Sequence, residues 1–157
     1  EEYLAFARGE SAEQVATTNV SAILHDVVNG ARISDTPVTL ETKDRIIIPL
    51  KPNGFKRAIT NLVNNGILYG GNVVVAMTEI AGAIQITVDD DGPGIPEEER
   101  EEVFKPFYRL DSARSPDTAG SGLGLTIARD VIRAHGGELI IEDSTLGGTK
   151  IRVRLPI

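Results

Sequence analysis

Apolar residues recur along this chain at two spacings, three to four apart in some stretches and two apart in others, and the switches between them mark out its elements. Residues 1–8 (EEYLAFAR) predict the end of a helix that stops at Gly9, followed by a polar linker over 10–18. Asn19 or Ser21 then caps a helix that runs to Ala31, with Ile23, Leu24, Val27, Val28 and Ala31 on one face. Strands are expected at 38–41 and 46–50; after a break at Pro52-Asn53-Gly54 a second helix carries Phe55, Ile59, Leu62 and Val63. Alternating segments at 72–80 and 83–89 predict an antiparallel hairpin about Ala81-Gly82. A short acidic helix is expected after Pro96, with Glu97, Glu98 and Glu99 at its positive end, then a mobile polar loop over 111–121. The stretch 122–135 predicts a helix with Leu125, Ile127, Ala128, Val131 and Ile132 apolar and Gly136 at its stop. A closing hairpin at 138–142 and 149–155 turns at Gly147-Gly148. This order predicts an α+β fold, a two-layer α/β sandwich whose mixed, mostly antiparallel sheet carries helices on one face.

Composition narrows what such a fold can do. Length 157, with 41% hydrophobic and 25% charged residues, suits one domain with a real core. Lys and Arg number 16 against 23 Asp and Glu, a formal net charge of -7, which argues against a broad nucleic-acid surface or adhesion to anionic lipid. With no cysteine, disulfides, thiolate metal sites and cysteine nucleophiles are excluded, and a reducing compartment fits. No apolar run approaches a membrane span, and the start at Glu1 rather than Met suggests a piece of a longer chain.

Three clusters carry the chemistry. Asn61 and Asn65 lie four apart on one helix face, Asp91-Gly92-Pro93-Gly94 ends a strand, and Gly120-Ser121-Gly122-Leu123-Gly124-Leu125 precedes a helix. An amide oxygen can ligate Mg²⁺, a carboxylate among strand-end glycines can accept from an exocyclic amine, and a glycine-rich helix start can cradle phosphates. Blander readings stand beside these: exposed Asn pairs, a solvated turn of acidic residues, and glycines kept for packing. The glycine spacing fits neither a dinucleotide fingerprint nor a Walker loop.

In order and interval the clusters resemble the catalytic and ATP-binding domain of two-component sensor histidine kinases of the osmosensor type. These belong to the GHKL superfamily with gyrase-type topoisomerases, Hsp90 chaperones and MutL-type ATPases. The segment 103–114 (VFKPFYRLDSAR) adds a likeness to the phenylalanine box and lid of those kinases. The resemblance implies a Bergerat-type fold that binds Mg-ATP. It implies Asp91 as acceptor from the adenine amine, Asn65 as Mg²⁺ ligand, and Asn61 as support for the site. Arg109 and Arg114 would meet phosphate oxygens. The nucleotide-binding set would also include Tyr69, Gly92, Gly94, Ile95, Phe107, Gly120, Ser121, Gly122, Leu123, Gly124 and Leu125. Phe104 and Phe107 read most simply as core anchors of the lid.

The implied reaction is transfer of the γ-phosphoryl group to a histidine on a separate dimerisation domain, with a response-regulator receiver domain downstream. Residues 1–9 would end the dimerisation helix, 10–18 would link, and 19–157 would form the catalytic domain. The fragment would lie in the cytoplasm, as part of an inner-membrane sensor that dimerises only at full length. Asn61 stands where hydrolases and serine kinases of the superfamily carry a Glu base. An amide takes no proton, so the nucleophile must bring its own basicity, as a neutral imidazole does. His25 lies in the wrong helix and lacks a following Pro, and His135 is explained as a helix-end cap; neither has an acceptor's context.

Two positions depart from the family pattern: Gly66 replaces the usual Ala after the magnesium Asn, and Leu68 replaces a usual Lys or Arg. They leave room for a degenerate module that binds ATP and signals by docking. A GHKL-type ATP hydrolase is the second alternative.

Overall fold

A computed structural model describes residues 13–31, 37–42, 45–108 and 123–157. The side chain of Tyr69 and residues 109–122 lie outside that description, so the expectations for Tyr69, Arg109, Arg114, Gly120, Ser121 and Gly122 do too.

Strand β1 (Ala16–Asn19) pairs antiparallel with β3 (Ile47–Leu50) in a small sheet of its own. Residues 16–18, expected in the linker, are therefore paired to the domain. Asn19 caps helix α1 (Val20–Ala31), its Oδ1 accepting the Ala22 N–H at 3.0 Å. The main sheet has five strands in the order β2-β4-β5-β7-β6: β2 (Val38–Glu41), β4 (Val73–Ile80), β5 (Ala83–Asp90), β7 (Thr149–Pro156) and β6 (Glu138–Asp143). Only β2 and β4 run parallel; the other neighbours are antiparallel. The expected two-layer fold is present, with β1 and β3 departing from the main sheet.

Inward strand positions and one helix face close the core. Val73, Val75 and Met77, then Ile84, Ile86 and Val88, and Ile151, Val153 and Leu155 are buried at period two. Against them pack Leu24, Val27 and Val28 of α1, Phe55, Ile59, Leu62 and Val63 of α2 (Pro52–Tyr69), and Ile127, Val131 and Ile132 of α3 (Gly124–Ala134). After Pro96 the chain makes two short 3₁₀ turns, Glu97–Glu99 and Glu102–Phe104, in place of the expected acidic helix.

Helix α2 begins where a break was expected, because Pro52 suits a first helical position that needs no N–H. Its N-cap Lys51 supplies no side-chain cap. Glu13 does that work from the N-terminal segment, accepting from Asn53 N at 2.6 Å and Gly54 N at 2.8 Å. His135, at the end of α3, adds a second tie. Its Nε2 accepts the Lys51 N–H at 3.0 Å, which leaves Nδ1 to donate to the Val131 carbonyl at 2.7 Å.

Gly66 sits within α2 facing β4, where an added Cβ would lie 3.1 Å from Val73 Cγ2 and 3.7 Å from Asp90 Cβ. Only a side-chain methyl has to yield. Gly66→Ala is expected to raise the unfolding midpoint, by up to about 1 kcal/mol in stability, the helical preference for Ala over Gly. Thermal unfolding followed by circular dichroism checks this, and a lowered midpoint would show that Val73 cannot shift.

Candidate nucleotide-binding site

The three consecutive carboxylates at the end of β5 do three different things because a strand turns successive side chains to opposite faces. Counting inward from Ile84 through Ile86 and Val88, the next buried position is Asp90, only 3% exposed. Asp89 faces the other side of the sheet, where its Oδ2 accepts the Ser144 hydroxyl at 2.6 Å. Asp91 lies past the strand end, fully on the surface. Its Oδ1 accepts from Gly71 N at 2.6 Å and Asn72 N at 2.9 Å, and its Oδ2 from Asn72 Nδ2 at 2.8 Å.

For Asp91, expected to accept from an adenine amine, the structure shows a different set of partners. Its carboxylate is committed to the connection between α2 and β4. Asp90 stands in the enclosed place instead. Its Oδ1 accepts from Gly92 N at 2.9 Å and Thr149 N at 3.2 Å, while among the described residues Oδ2 accepts from none.

Glycine backbone closes around Asp90. A Cβ on Gly148 would collide with Asp90 Oδ1, Asp90 O and Gly92 N, and one on Gly70 would come 2.9 Å from Asp90 Cβ. Gly94, at φ +81°, lies beside the Gly148 carbonyl, and Ile95 is buried next to it. The Ile95 carbonyl accepts from Arg100 Nε at 3.0 Å, and Arg100 also pairs with Asp143 at 2.6 Å, which pins this loop to the end of β6.

The two asparagines lie one turn apart on α2. Asn61 Nδ2 donates to the Gly124 carbonyl at 3.3 Å, joining α2 to the first turn of α3. Asn65 is one helical turn on, half-buried, and no hydrogen bond among the described residues engages its amide. It immediately precedes Gly66, whose Cα faces Asp90. Helix α2 thus touches the first turn of α3 through Asn61 and the end of β5 through Gly66. Leu123 is buried, its carbonyl accepting the Ile127 N–H, and Leu125 packs half-buried against the core.

Phe107 departs from its expected core role. It is 65% exposed with φ +66°, a left-handed backbone unusual for an aromatic residue. Phe104 is the anchor: it is buried, the Arg129 guanidinium lies 4.1 Å over its ring, and Thr126 donates to its carbonyl at 2.7 Å. Leu68, seven residues after Asn61 on the same helical face, is 36% exposed and hence not a core residue.

Burial raises the Asp90 pKa above the ordinary 3.8, opposed by the N–H groups of Gly92 and Thr149 and reinforced by the charges of Asp91 and Asp89. The backbone N–H groups of Asn72 and Gly71, with the Asn72 amide, hold the Asp91 carboxyl below 3.8.

Among the described residues, no group of three or more His, Asp or Glu side chains could hold a metal ion by itself. A lone half-buried amide oxygen at Asn65 fits a Mg²⁺ ion that arrives on phosphate oxygens, and no protein-built cage is needed. Such an ion would neutralise phosphate charge, and Asn65 would orient it.

A strand-end carboxylate sealed by glycine backbone, beside a helix bearing two amides, defines an ATP-binding domain of the two-layer kind without a Walker loop. The chain belongs to the histidine kinase-, DNA gyrase B- and HSP90-like ATPase family, whose model matches residues 50–157. It is similar to the sensor histidine kinase CpxA of Escherichia coli K12, 43% identical over 107 residues, which are 68% of this chain and 23% of that protein. It is also similar to the sensor histidine kinase GtrS of Pseudomonas aeruginosa, 35% identical over 92% of this chain and 29% of that protein. The chain thus spans about a quarter of the length of these relatives. Among solved structures, the ATP-binding domain of PrrB from Mycobacterium tuberculosis superposes with a TM-score of 0.76 at 29% identity, covering 92% of this chain and 98% of that one. The mycobacterial sensor histidine kinase MprB gives 0.79 at 29% identity, with 91% and 97% covered.

A pH prediction follows from Asp90. A raised folded-state pKa means that the group favours the fold when protonated and loses that contribution as pH rises through the folded pKa. Asp90→Asn keeps an acceptor for Gly92 and Thr149 and carries no charge. Without nucleotide it is expected to unfold at a higher temperature than wild type at pH 7, the gain shrinking as acid protonates Asp90. A gain that does not depend on pH would contradict this.

Proposed function

We propose that this domain binds Mg-ATP with Asp90, not Asp91, receiving the adenine amine, and donates the γ-phosphoryl group to a histidine on a separate dimerisation domain. The observation that carries the reading is the buried Asp90 carboxylate, with one oxygen engaged by backbone and the other open to a donor. Adenine offers an exocyclic amine at that point, whereas guanine offers a carbonyl oxygen, which a carboxylate repels. Gly92, Gly94 and Ile95 would line the base, Asn65 would meet the Mg²⁺, and Asn61 would steady the start of α3 near the phosphates. Arg109, Arg114, Tyr69 and residues Gly120, Ser121 and Gly122 remain part of the proposed site. Catalysis would come from alignment and charge neutralisation, with the imidazole nucleophile supplying its own basicity.

Residues 1–9 would continue the dimerisation helix and 10–18 the linker, its last residues paired to the domain through β1. The acceptor helix and a response-regulator receiver domain would be the partners, and dimerisation would belong to the full-length protein. The domain would lie in the cytoplasmic part of a membrane sensor; among the described residues no helix is long and apolar enough to cross a membrane.

Thermal-shift titration of wild type and Asp90→Asn with Mg-ATP, Mg-ADP and Mg-GTP tests the nucleotide reading, since a ligand that binds only the folded state raises its stability. Wild type should respond to both adenine nucleotides and not to Mg-GTP. Asp90→Asn should lose about 1–3 kcal/mol of ATP binding, because its amide oxygen stays on Gly92 and Thr149 and its NH2 group then faces the adenine amine. Equal binding by variant and wild type would sink the assignment.

A second reading, an ATP-binding module with weak transfer, draws on Leu68, an exposed apolar side chain on the asparagine face where the family carries a cation. Leu68→Arg would supply that charge. It is expected to accelerate single-turnover transfer to an added acceptor domain and to tighten Mg-ATP more than adenosine. A folded variant with unchanged transfer and unchanged affinity would show that charge near the phosphates is not what limits this chain.

A further inference from the structure

We propose that Asp91 is a positioning residue, whose carboxylate staples the α2–β4 connection to the loop carrying Asp90 and so fixes Asp90 relative to Asn65. The inference rests on the reading of Asp90 and α2 as two walls of the nucleotide cleft.

Three donors converge on this one side chain, all from residues 19 or 20 positions earlier: Gly71 N, Asn72 N and Asn72 Nδ2. Asn72 immediately precedes Val73, which stands opposite Asp90 at the end of the β4–β5 ladder. The strands part there, and the Asp91 side chain continues the cross-link where backbone pairing stops. Without it, the connection would hold to β5 only by packing.

That connection is in direct contact with Asp90. Gly70 N donates to the Gly66 carbonyl at 2.7 Å, closing α2, and the Gly70 Cα is so near Asp90 Cβ and Gly92 N that no side chain fits between them. A small outward shift of residues 70–72 would open the wall on Asp90 and carry the last turn of α2 with it. Asn65 lies five residues before Gly70 on this helix. Base and metal ends of a bound nucleotide are separated by a fixed covalent length, so a slack joint between the two walls weakens binding even with every contacting residue present. The Asp91 carboxyl is held below 3.8 by these same donors, so at neutral pH it is an anion that accepts all three bonds.

The substitutions separate hydrogen bonding from charge. Both backbone donors use Oδ1, so Asp91→Asn can keep them on its amide oxygen, and the Asn72 amide can turn its own oxygen to the new amine. Asp91→Ala keeps neither. The experiment measures amide hydrogen exchange without nucleotide, the unfolding midpoint, and Mg-ATP affinity by calorimetry, for wild type and both variants. Expected for Asp91→Ala are faster exchange at Gly71 and Asn72, unchanged protection in the centre of β5, a midpoint near wild type, and Mg-ATP affinity reduced on the order of tenfold. Asp91→Asn should restore exchange and affinity together.

Three results overturn the proposal. Unchanged exchange at Gly71 and Asn72 in Asp91→Ala would mean that there is no staple. Faster exchange with wild-type affinity would make it a surface tie without consequence for the nucleotide. An Asn variant as impaired as the Ala variant would show that charge is what counts. A wild-type chain with no affinity for Mg-ATP would instead refute the reading of the cleft, while the exchange data still judged the staple.

Discussion

Asp90 is held out of water by main chain pressed against it from two sides, Gly148 from the turn between β6 and β7 and Gly70 from the end of α2. Neither position has space for a Cβ, so the distances around the carboxylate are set by backbone and cannot drift with side-chain rotamers. Desolvating an anion opposes folding unless hydrogen bonds compensate, and Gly92 and Thr149 do so at one oxygen only. In the proposed function, the adenine amine would supply the remainder.

Asp89, Asp90 and Asp91 show how one pleat divides labour among identical residues. Asp89 ties the outer face of the sheet to Ser144, Asp90 is buried against the backbone of Gly92 and Thr149, and Asp91 grips the α2–β4 connection. The loop that follows is braced from the opposite end by Arg100, bonded to the Ile95 carbonyl and to Asp143. The wall that carries the glycines is thus fastened at both ends.

Most elements were legible from periodicity, because amphipathic spacing and turn residues agreed in α1, in the β4–β5 hairpin and in α3. Residue type narrowed the cap of α1 to Asn19 or Ser21 and marked Gly136 as a stop; the structure selects Asn19. Which of the three carboxylates is buried was legible from the inward register that runs from Ile84 to Asp90. What the sequence could not reveal was long-range. Nothing local announces that Asp91 reaches back to Gly71, that Glu13 caps α2, or that Ala16 pairs with Leu50. An aromatic near Phe104 reads as core by residue type, yet Phe107 is exposed and has a left-handed backbone that no local signal announces.

The start of α2 has implications for how the domain assembles. A helix normally nucleates with help from a cap in its own first turn, and this one lacks it; its caps come from Glu13, 40 and 41 positions away, and from His135, 84 positions away. With Gly54 and Gly66 inside it as well, α2 has little reason to persist before the N-terminal segment and the end of α3 have arrived. Closing such distant contacts is slow and comes late, so the helix that bears Asn61 and Asn65 is completed by tertiary structure rather than preceding it. The asparagine face and the fold therefore form in the same cooperative step, and a disturbance that pulls on residues 13–19 frays the helix from the end opposite the cleft.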